Sequence, residues 1–401
     1  MFLTLNRPAR VKTRNFADTI AMLDGTGHKS GSGIYINSET AMRQSTVYAC
    51  VRVISEIIAQ LPIEVQTKSN NTWITAQDHD LNRLLAEPNQ WQTQHDLIST
   101  LIAWAEMNGN GFLFKIRTGD DVVRQLIPIE SKGVETEIKK NWELEYTVDS
   151  DVGINGTYKK DRVFHLRNFG TQGYIGLSTI GNHKEGIGLA LQLEKHAVSA
   201  YKNGLQSNKW VKLENPLHGD ALDTFKSEIK KYQGASAAGE MPVLAGSEFK
   251  EFNGISQTDA QYIESRKMQK QEIASLFGVP LFLLNDTEKT TTWGTGLEQM
   301  SRSFIRFSLN PRLNRLGQTF VRELIPEKER SNTRVIFDTD QFTLGEFKER
   351  MDGYRSGIES GVLNPNECRE IEGRNPRDGG DDYRQPANIN TEGDTDEPQD
   401  I

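Results

Sequence analysis

The chain is 401 residues long with 47 Lys and Arg against 55 Asp and Glu, a formal charge of −8, so it lacks the bulk positive field that would coat nucleic acid. Its two cysteines, Cys50 and Cys368, exclude a disulfide-stapled scaffold and a four-cysteine zinc site, and fit a reducing compartment. The longest apolar runs, such as Leu281 to Leu284, are far shorter than the roughly 20 residues of a membrane helix. Arg7, Arg10, Lys12 and Arg14 follow the short apolar start, the reverse of a secretory signal, so a soluble chain made in the cytoplasm is expected.

At about 150 residues per domain, this length makes two or three domains. Residues 1–40 are basic and then Gly/Ser-rich ("DGTGHKSGSG", Asp24 to Gly33), which predicts a mobile arm. In "STVYACVRVISEIIAQLPIEV", Val47, Cys50, Val51, Ile54, Ile57, Ile58 and Leu61 recur at helical spacing; Ser45 or Thr46 is the expected N-cap, and Pro62 ends the helix before a short strand. A second helix is predicted from Thr93 to Met107, stopping at Asn108-Gly109. "GFLFKIR", "VRQLIPIE", "LEYTV" and "RVFHLRN" read as strands of a mixed α/β domain.

The second half is organised differently. Helices are predicted at Gly188 to Asn203 and Thr258 to Phe277, flanking an insert of strand (Lys209 to Glu214), helix (Asp220 to Tyr232) and one or two strands (Met241 to Phe252). The polar loop "NDTEKTTTWGTG" (Asn285 to Gly296) precedes a long helix from Leu297 to about Leu324 that Pro311 should kink. One strand (Arg334 to Phe337) and helices at Leu344 to Glu359 and Asn364 to Glu372 follow. From Pro376 to Ile401 eight acidic residues face two arginines, a net −6 in a stretch expected to be disordered; the rest of the chain is left near −2.

Catalytic signatures do not assemble. Gly25-Thr26-Gly27-His28-Lys29-Ser30 approaches a phosphate loop, but His28 separates Gly27 from Lys29 and more loop follows where a helix must begin. The seven histidines form no metal-type pair on a helix face, and "GASAAG" lacks the strand and helix of a nucleophile elbow. No catalytic residue, metal or cofactor is therefore expected. Two features remain. The long helix carries Arg302, Arg306, Arg312, Arg315 and Arg322 against Glu298 and Glu323, opposite an apolar side, a basic face that residue types alone leave open between carboxylate partners and phosphate. The polar loop sets Lys289, Thr290, Thr291, Thr292 and Trp293 between two long helices, where either surface filler or a moving ligand contact would fit.

With these residues the chain resembles the portal proteins of tailed bacteriophages, in the form found in long-tailed phages. The stretches carrying the resemblance are "STVYACVRVISEIIAQLPIEV", "LLAEPNQWQTQHDLISTLIAWAEMNGNGFLF", "VFHLRNFGTQGYIGLSTI", "RKMQKQEIASLFGVPLFLLND", "TTTWGTGLEQMSRSFIRFSLNPRLNRL" and "GVLNPNECREIEGRNP", in consistent order from Ser45 to Pro376. The resemblance implies a mixed α+β portal-type fold. Its parts would be a wing over residues 41–180, stem helices over 181–204 and 257–279, a clip over 205–256, a tunnel loop over 280–296, a kinked helix over 297–326, a wing return over 327–343, a crown-like segment over 344–375 and the acidic tail over 376–401. It implies a non-enzymatic ring, typically a dodecamer, at one capsid vertex, assembled in the host cytoplasm and carried in the virion. Double-stranded DNA would pass it transiently along Lys289 to Trp293, with no sequence preference and no membrane involved. Terminase and then a head–tail adaptor would dock on the clip, where Lys209, Trp210, Lys226, Lys230 and Glu240 are the candidate contacts, and capsid protein or scaffold would surround the ring. An adaptor protein without a DNA channel is the competing reading; an ATP-using packaging subunit is disfavoured by the defective phosphate loop.

Overall fold

In the computed structural model, described residues are 28–29, 35–118, 122–202, 209–213, 218–231, 247–251, 257–286, 294–339 and 347–383. The chain divides into two compact units, residues 1–290 with 304–337 and residues 291–303 with 338–401. Order begins before Ala41. Tyr35–Ile36 pairs antiparallel with His28–Lys29, and the one-turn helix Ser38–Ala41 is closed by a capping box from Asn37, which burial of Ile36 anchors to the core. The remainder of the predicted N-terminal arm lies outside the described residues.

The first unit is built on α1 (Ser45–Gln60), which buries Val47, Cys50, Val51, Ile54 and Ile58 along one stripe. Its N-cap is Gln44, not Ser45 or Thr46: the Gln44 amide oxygen accepts from the Val47 N–H at 2.8 Å, a task its longer side chain performs from one residue further out. After Pro62 come β1 (Ile63–Ser69), β2 (Thr72–Thr75) and the short α2 (Asp80–Ala86), the last two unforeseen because their few apolar residues give too little periodicity. Helix α3 (Gln94–Asn108) packs on α1, starts at a Thr93–Asp96 capping box and stops at Gly109, φ +77°. A side chain at Gly109 would overlap the Leu177 carbonyl, so glycine is required there for both conformation and space.

Strands β3 (Asn110–Arg117) and β4 (Val123–Ile129) follow, then the meander β5 (Val134–Ile138), β6 (Leu144–Val148) and β7 (Gly156–Lys159), and β8 (Val163–Arg167). The sheets are β8-β3-β4 and β5-β6-β7, antiparallel throughout, with Phe112, Ile129, Tyr146, Val148 and Val163 forming a second small core. Helix α4 (Lys184–Lys202) precedes the pair β9 (Lys209–Leu213) and β10 (Ser247–Glu251), with α5 (Asp220–Lys231) between them in sequence; α6 (Gln257–Phe277) returns to pack on α4 and α1.

The long helix is interrupted as its proline predicts, though by an unexpected device. Helix α7 (Gly294–Phe304) gives way to a π-helical stretch, Ile305–Leu309, and α8 (Asn310–Leu324) starts with Pro311 in its first turn. Proline lacks the N–H for an ordinary helical bond and crowds the preceding turn; the wider stretch absorbs both effects. Strand β11 (Thr333–Phe337) then joins the edge of β1, giving the sheet β11-β1-β2.

In the second unit, α9 (Phe347–Glu359) and α10 (Pro365–Ile371) are tied by Arg350 and Tyr354, both bonded to Glu372, at 2.8 and 3.1 Å. Residues 376–383, counted by composition in the disordered tail, are held instead: the Asn366 amide donates to the Arg377 carbonyl and to Asp381, at 3.0 and 2.9 Å. A buried polar anchor of this kind has no periodic signature. The rest of the tail lies outside the described residues.

Candidate functional site

The site region of the first unit is the meeting point of α3, the C-terminus of α6 and the π stretch. Helices α4 and α6 form two packed struts, linked by the Tyr262 hydroxyl donating to the Leu193 carbonyl (3.0 Å) and by an Arg266–Glu194 ion pair (3.7 Å). Between their far ends the chain carries β9 and β10, in register Lys209↔Glu251 and Trp210↔Lys250. Lys226 and Lys230 stand on α5, one turn apart. Glu240 lies outside the described residues, as do Lys289, Thr290, Thr291, Thr292 and Trp293.

The two borders of that polar loop are described. On the leading side Asn285 adopts a left-handed conformation (φ 56°), and Lys270 of α6 reaches across to the Leu284 carbonyl (3.2 Å) and to Asp286 (3.1 Å). On the far side helix α7 begins at Gly294, three residues earlier than Leu297.

Within the first unit, Arg306, Arg312 and Arg315 do not form one face. Arg302, in the second unit, pairs with Glu298 one turn earlier, and Arg306, in the first, is exposed with its guanidinium 5.6 Å from the centre of the exposed Phe307 ring. Arg312 and Arg315 turn inward. Arg312 holds the buried Glu106 carboxylate in a fork (2.7 and 2.9 Å) and donates to the Ser308 carbonyl and hydroxyl (2.7 and 2.9 Å) and to the Phe277 carbonyl (2.9 Å). All five guanidinium donors are thereby used. One of them satisfies a carbonyl left open at the end of α6, where a cation also complements the helix dipole. Arg315 donates to the Asn168 side-chain oxygen (2.8 Å), whose amide reaches Glu106 (3.2 Å); burial pulls the Arg315 pKa down, and Glu106 acts against that. Neither is a solvent-facing basic group, because helical spacing counts them onto the polar side while their length carries them into a polar junction between elements.

Two buried clusters were not foreseen. Lys115, 1% exposed on β3, donates to the Lys160 carbonyl (2.9 Å) and reaches the Glu323 carboxylate (3.4 Å) on α8; burial brings its pKa down to about 8. His165 donates from Nε2 to Asn110 (2.9 Å) and accepts from the Tyr146 hydroxyl at Nδ1 (3.3 Å), while burial lowers its pKa to about 3 and keeps it neutral. The signal for Lys115 was a lysine inside an apolar strand, "GFLFKIR". Both clusters are satisfied polar networks that join elements. Among the described residues no group of three or more His, Cys, Asp or Glu could hold a metal ion, and no helix is long and apolar enough to cross a membrane.

What this scaffold is for comes from its relatives. The profile of the family described as "Phage portal protein" matches residues 45–373. The chain belongs to the phage portal protein family. It is 28% identical over 377 residues to the portal protein of Enterobacteria phage HK97, covering 93% of this chain and 88% of that one. It is 29% identical over 388 residues to the probable portal protein of Streptomyces phage phiC31, covering 93% and 84% respectively. A chain from the neck of an empty gene transfer agent particle superposes with a TM-score of 0.60 at 21% identity, covering 89% of this portal chain and 99% of its own length. The crystal structure of an HK97-family phage portal protein from Corynebacterium diphtheriae gives 0.53 at 14% identity, covering 75% and 94%. The family is structural, its fold mixed α+β, and its characteristic role is the DNA channel of the phage head.

Proposed function

We propose that this portal protein assembles as a closed ring, of twelve subunits, at one vertex of the capsid, and that double-stranded DNA enters and leaves through its centre. The observation carrying this reading is the match along 45–373, which spans both struts, the strand pair between them and the polar loop. A solved neck computed with C12 symmetry, whose chain superposes with a TM-score of 0.58, supports the subunit number. In this reading residues 41–180 and 327–343 form the wing, α4 and α6 the stem, residues 205–256 the clip, 280–296 the tunnel loop and 344–375 a crown-like segment. Terminase and then the head–tail adaptor dock on the clip through Lys209, Trp210, Lys226, Lys230 and Glu240, and capsid protein or scaffold contacts the outside. Assembly takes place in the host cytoplasm, and the protein has no enzymatic activity of its own.

Electrostatics supports a conduit over a clamp. Each phosphate neutralised by Lys or Arg adds salt-dependent affinity, so a channel that passes DNA must hold few. A body near −2 outside the tail, with Arg312 and Arg315 of the long helix spent internally, meets that requirement. Ring symmetry multiplies single residues, and one Lys289 per subunit makes a circle of charge around the duplex. Cyclic closure also needs two different complementary faces on each subunit, for which Arg302 and Arg306 are candidates.

Negative-stain imaging of the purified protein tests the ring: particles with a central channel are expected, and a strictly monomeric species at micromolar concentration in every salt would refute it. Lys289→Ala with Trp293→Ala in the phage tests the loop; unchanged packaging and ejection would remove the channel role from those residues.

A further inference from the structure

Helix α8 packs along strand β11, with the Gly317 backbone close against the Val335 carbonyl, and beside that contact the surface holds a cleft of about 310 Å³. This is near the lower end of the roughly 300–1,000 Å³ of ligand-binding pockets. Its lining is divided by chemistry. Gly317, Val321 and Val335 give a small apolar floor, and Asn314 and Gln318 stand one turn apart on α8 with exposed side-chain amides. Arg322, Arg330 and Arg334, all exposed, bring three guanidinium groups to the rim.

Two of the arginines are held in advance of any ligand. Arg330 donates its Nε–H to the Ile325 carbonyl (2.9 Å), and Arg334 donates its Nε–H to the Gln66 side-chain oxygen (2.9 Å) with its guanidinium 4.4 Å from the centre of the Trp73 ring. A guanidinium tethered through Nε keeps its terminal N–H groups for an anion and loses little freedom on binding one. Among the described residues neither Arg330 nor Arg334 pairs with a carboxylate, and Arg322 lies 3.7 Å from Glu323. That carboxylate is buried and already shared between Lys115 and Lys160, each at 3.4 Å, so it does little to offset the charge around the cleft.

From this arrangement we infer that the cleft binds a phosphate monoester carried on a compact ring-bearing body, the chemistry of a nucleoside monophosphate or of the phosphorylated end of a nucleic-acid strand. A carboxylate has two oxygens and is satisfied by one guanidinium fork. A phosphate monoester carries about −1.5 to −2 charge near neutral pH and three outer oxygens, which several guanidinium groups can share. The small floor of Gly317, Val321 and Val335 leaves room for a flat ring, and Asn314 and Gln318 each offer a donor and an acceptor to its polar edge. The internal phosphates of a duplex are diesters with one charge each, set on a convex cylinder, and do not enter a cleft of this size. Binding here is independent of ring assembly.

The probe is thymidine 5′-monophosphate, titrated into the full-length protein by isothermal calorimetry at fixed ionic strength. Saturable binding at one site per chain is expected, at least tenfold weaker for inorganic phosphate and at least tenfold weaker for thymidine without its phosphate. Both comparisons use unaltered protein, so they stand whether or not a variant folds. The Arg330→Gln/Arg334→Gln variant should lower affinity for the monophosphate at least tenfold, and Gln318→Trp, which fills the cleft, should lower it comparably. Competition by a short blunt duplex separates the two sources: displacement by the 5′-phosphorylated duplex alone supports a strand end as the ligand, and displacement by neither duplex supports a free nucleotide. No saturable binding, equal affinity for thymidine or for inorganic phosphate, equal affinity in the arginine variant, or equal displacement by the 5′-hydroxyl duplex would overturn the assignment.

Discussion

Removing Arg312 should be among the most damaging single substitutions in the first unit. Truncation to alanine leaves the Glu106 carboxylate, 3% exposed, without its two shortest donors, and also frees the Phe277 and Ser308 carbonyls. Breaking a buried pair from one side costs about 3–5 kcal/mol, because the remaining charge stays desolvated. Asn168 still donates to Glu106 at 3.2 Å, which places the expected loss for Arg312→Ala near the lower figure, about 3 kcal/mol. Arg312→Lys should recover less than half of it, since an ammonium cannot make the planar fork. Urea unfolding followed by tryptophan fluorescence measures this, at fixed protomer concentration so that assembly does not contribute. The Glu106→Gln variant completes a double-mutant cycle, with an expected coupling of about 1.5 kcal/mol or more. A loss below about 1 kcal/mol for Arg312→Ala, or additivity in the cycle, would show that the junction is not held by this pair.

Further outcomes follow from the same structure. Gly109→Ala should destabilise by about 1–3 kcal/mol, because a β-carbon there meets the Leu177 carbonyl at a left-handed φ; an unchanged melting temperature would contradict the close approach. Lys115 has its folded pKa lowered to about 8 from 10.5, so the unfolded chain binds more protons between those values and stability should rise with pH across that window; Lys115→Met should lack this increment. His165, lowered to about 3 from 6.5, should contribute a loss of stability as pH falls below 6.5, removed by His165→Phe and measurable by chemical denaturation at stepped pH. Burial pushes the Cys50 thiol up to about 12, so it should resist a thiol reagent in the native protein and react at once in denaturant; rapid native labelling at Cys50 would refute its placement.

Periodic elements were legible from residue order because each declares itself through local physics. Helices α1 and α3, with their apolar stripes and their stops at Pro62 and Gly109, fall within a residue or two of expectation. Helix α6 and strand β9 do so too, while α4 starts at Lys184, four residues before the expected Gly188, and β10 occupies only Ser247–Glu251 of the expected Met241 to Phe252. The misses have a common cause: the decisive interaction joins residues far apart in the chain. Arg312 reads as solvated on a helical wheel, and only its approach to Glu106, 206 residues away, makes it a buried strut. Lys115 and Glu323, 208 residues apart, each look misplaced alone and explain one another once together. The family resemblance was legible through several motifs in order, whereas the pairing of β11 with β1 is set by the ladder register, which no local pattern encodes.

That register also bears on how the chain is made. Strand β1 completes its sheet only with β11, whose Arg334 lies 268 residues beyond Gln66. At about 5–20 residues per second of synthesis, β1 waits on the order of tens of seconds at the ribosome before its partner emerges. Throughout that interval a row of backbone donors and acceptors on a nascent chain stands unpaired beside other nascent chains, the situation in which strands of different molecules exchange partners. Placing the closing strand so late makes the wait a property of chain order, and slowing translation between those two points should raise the demand for chaperones without changing the folded protein.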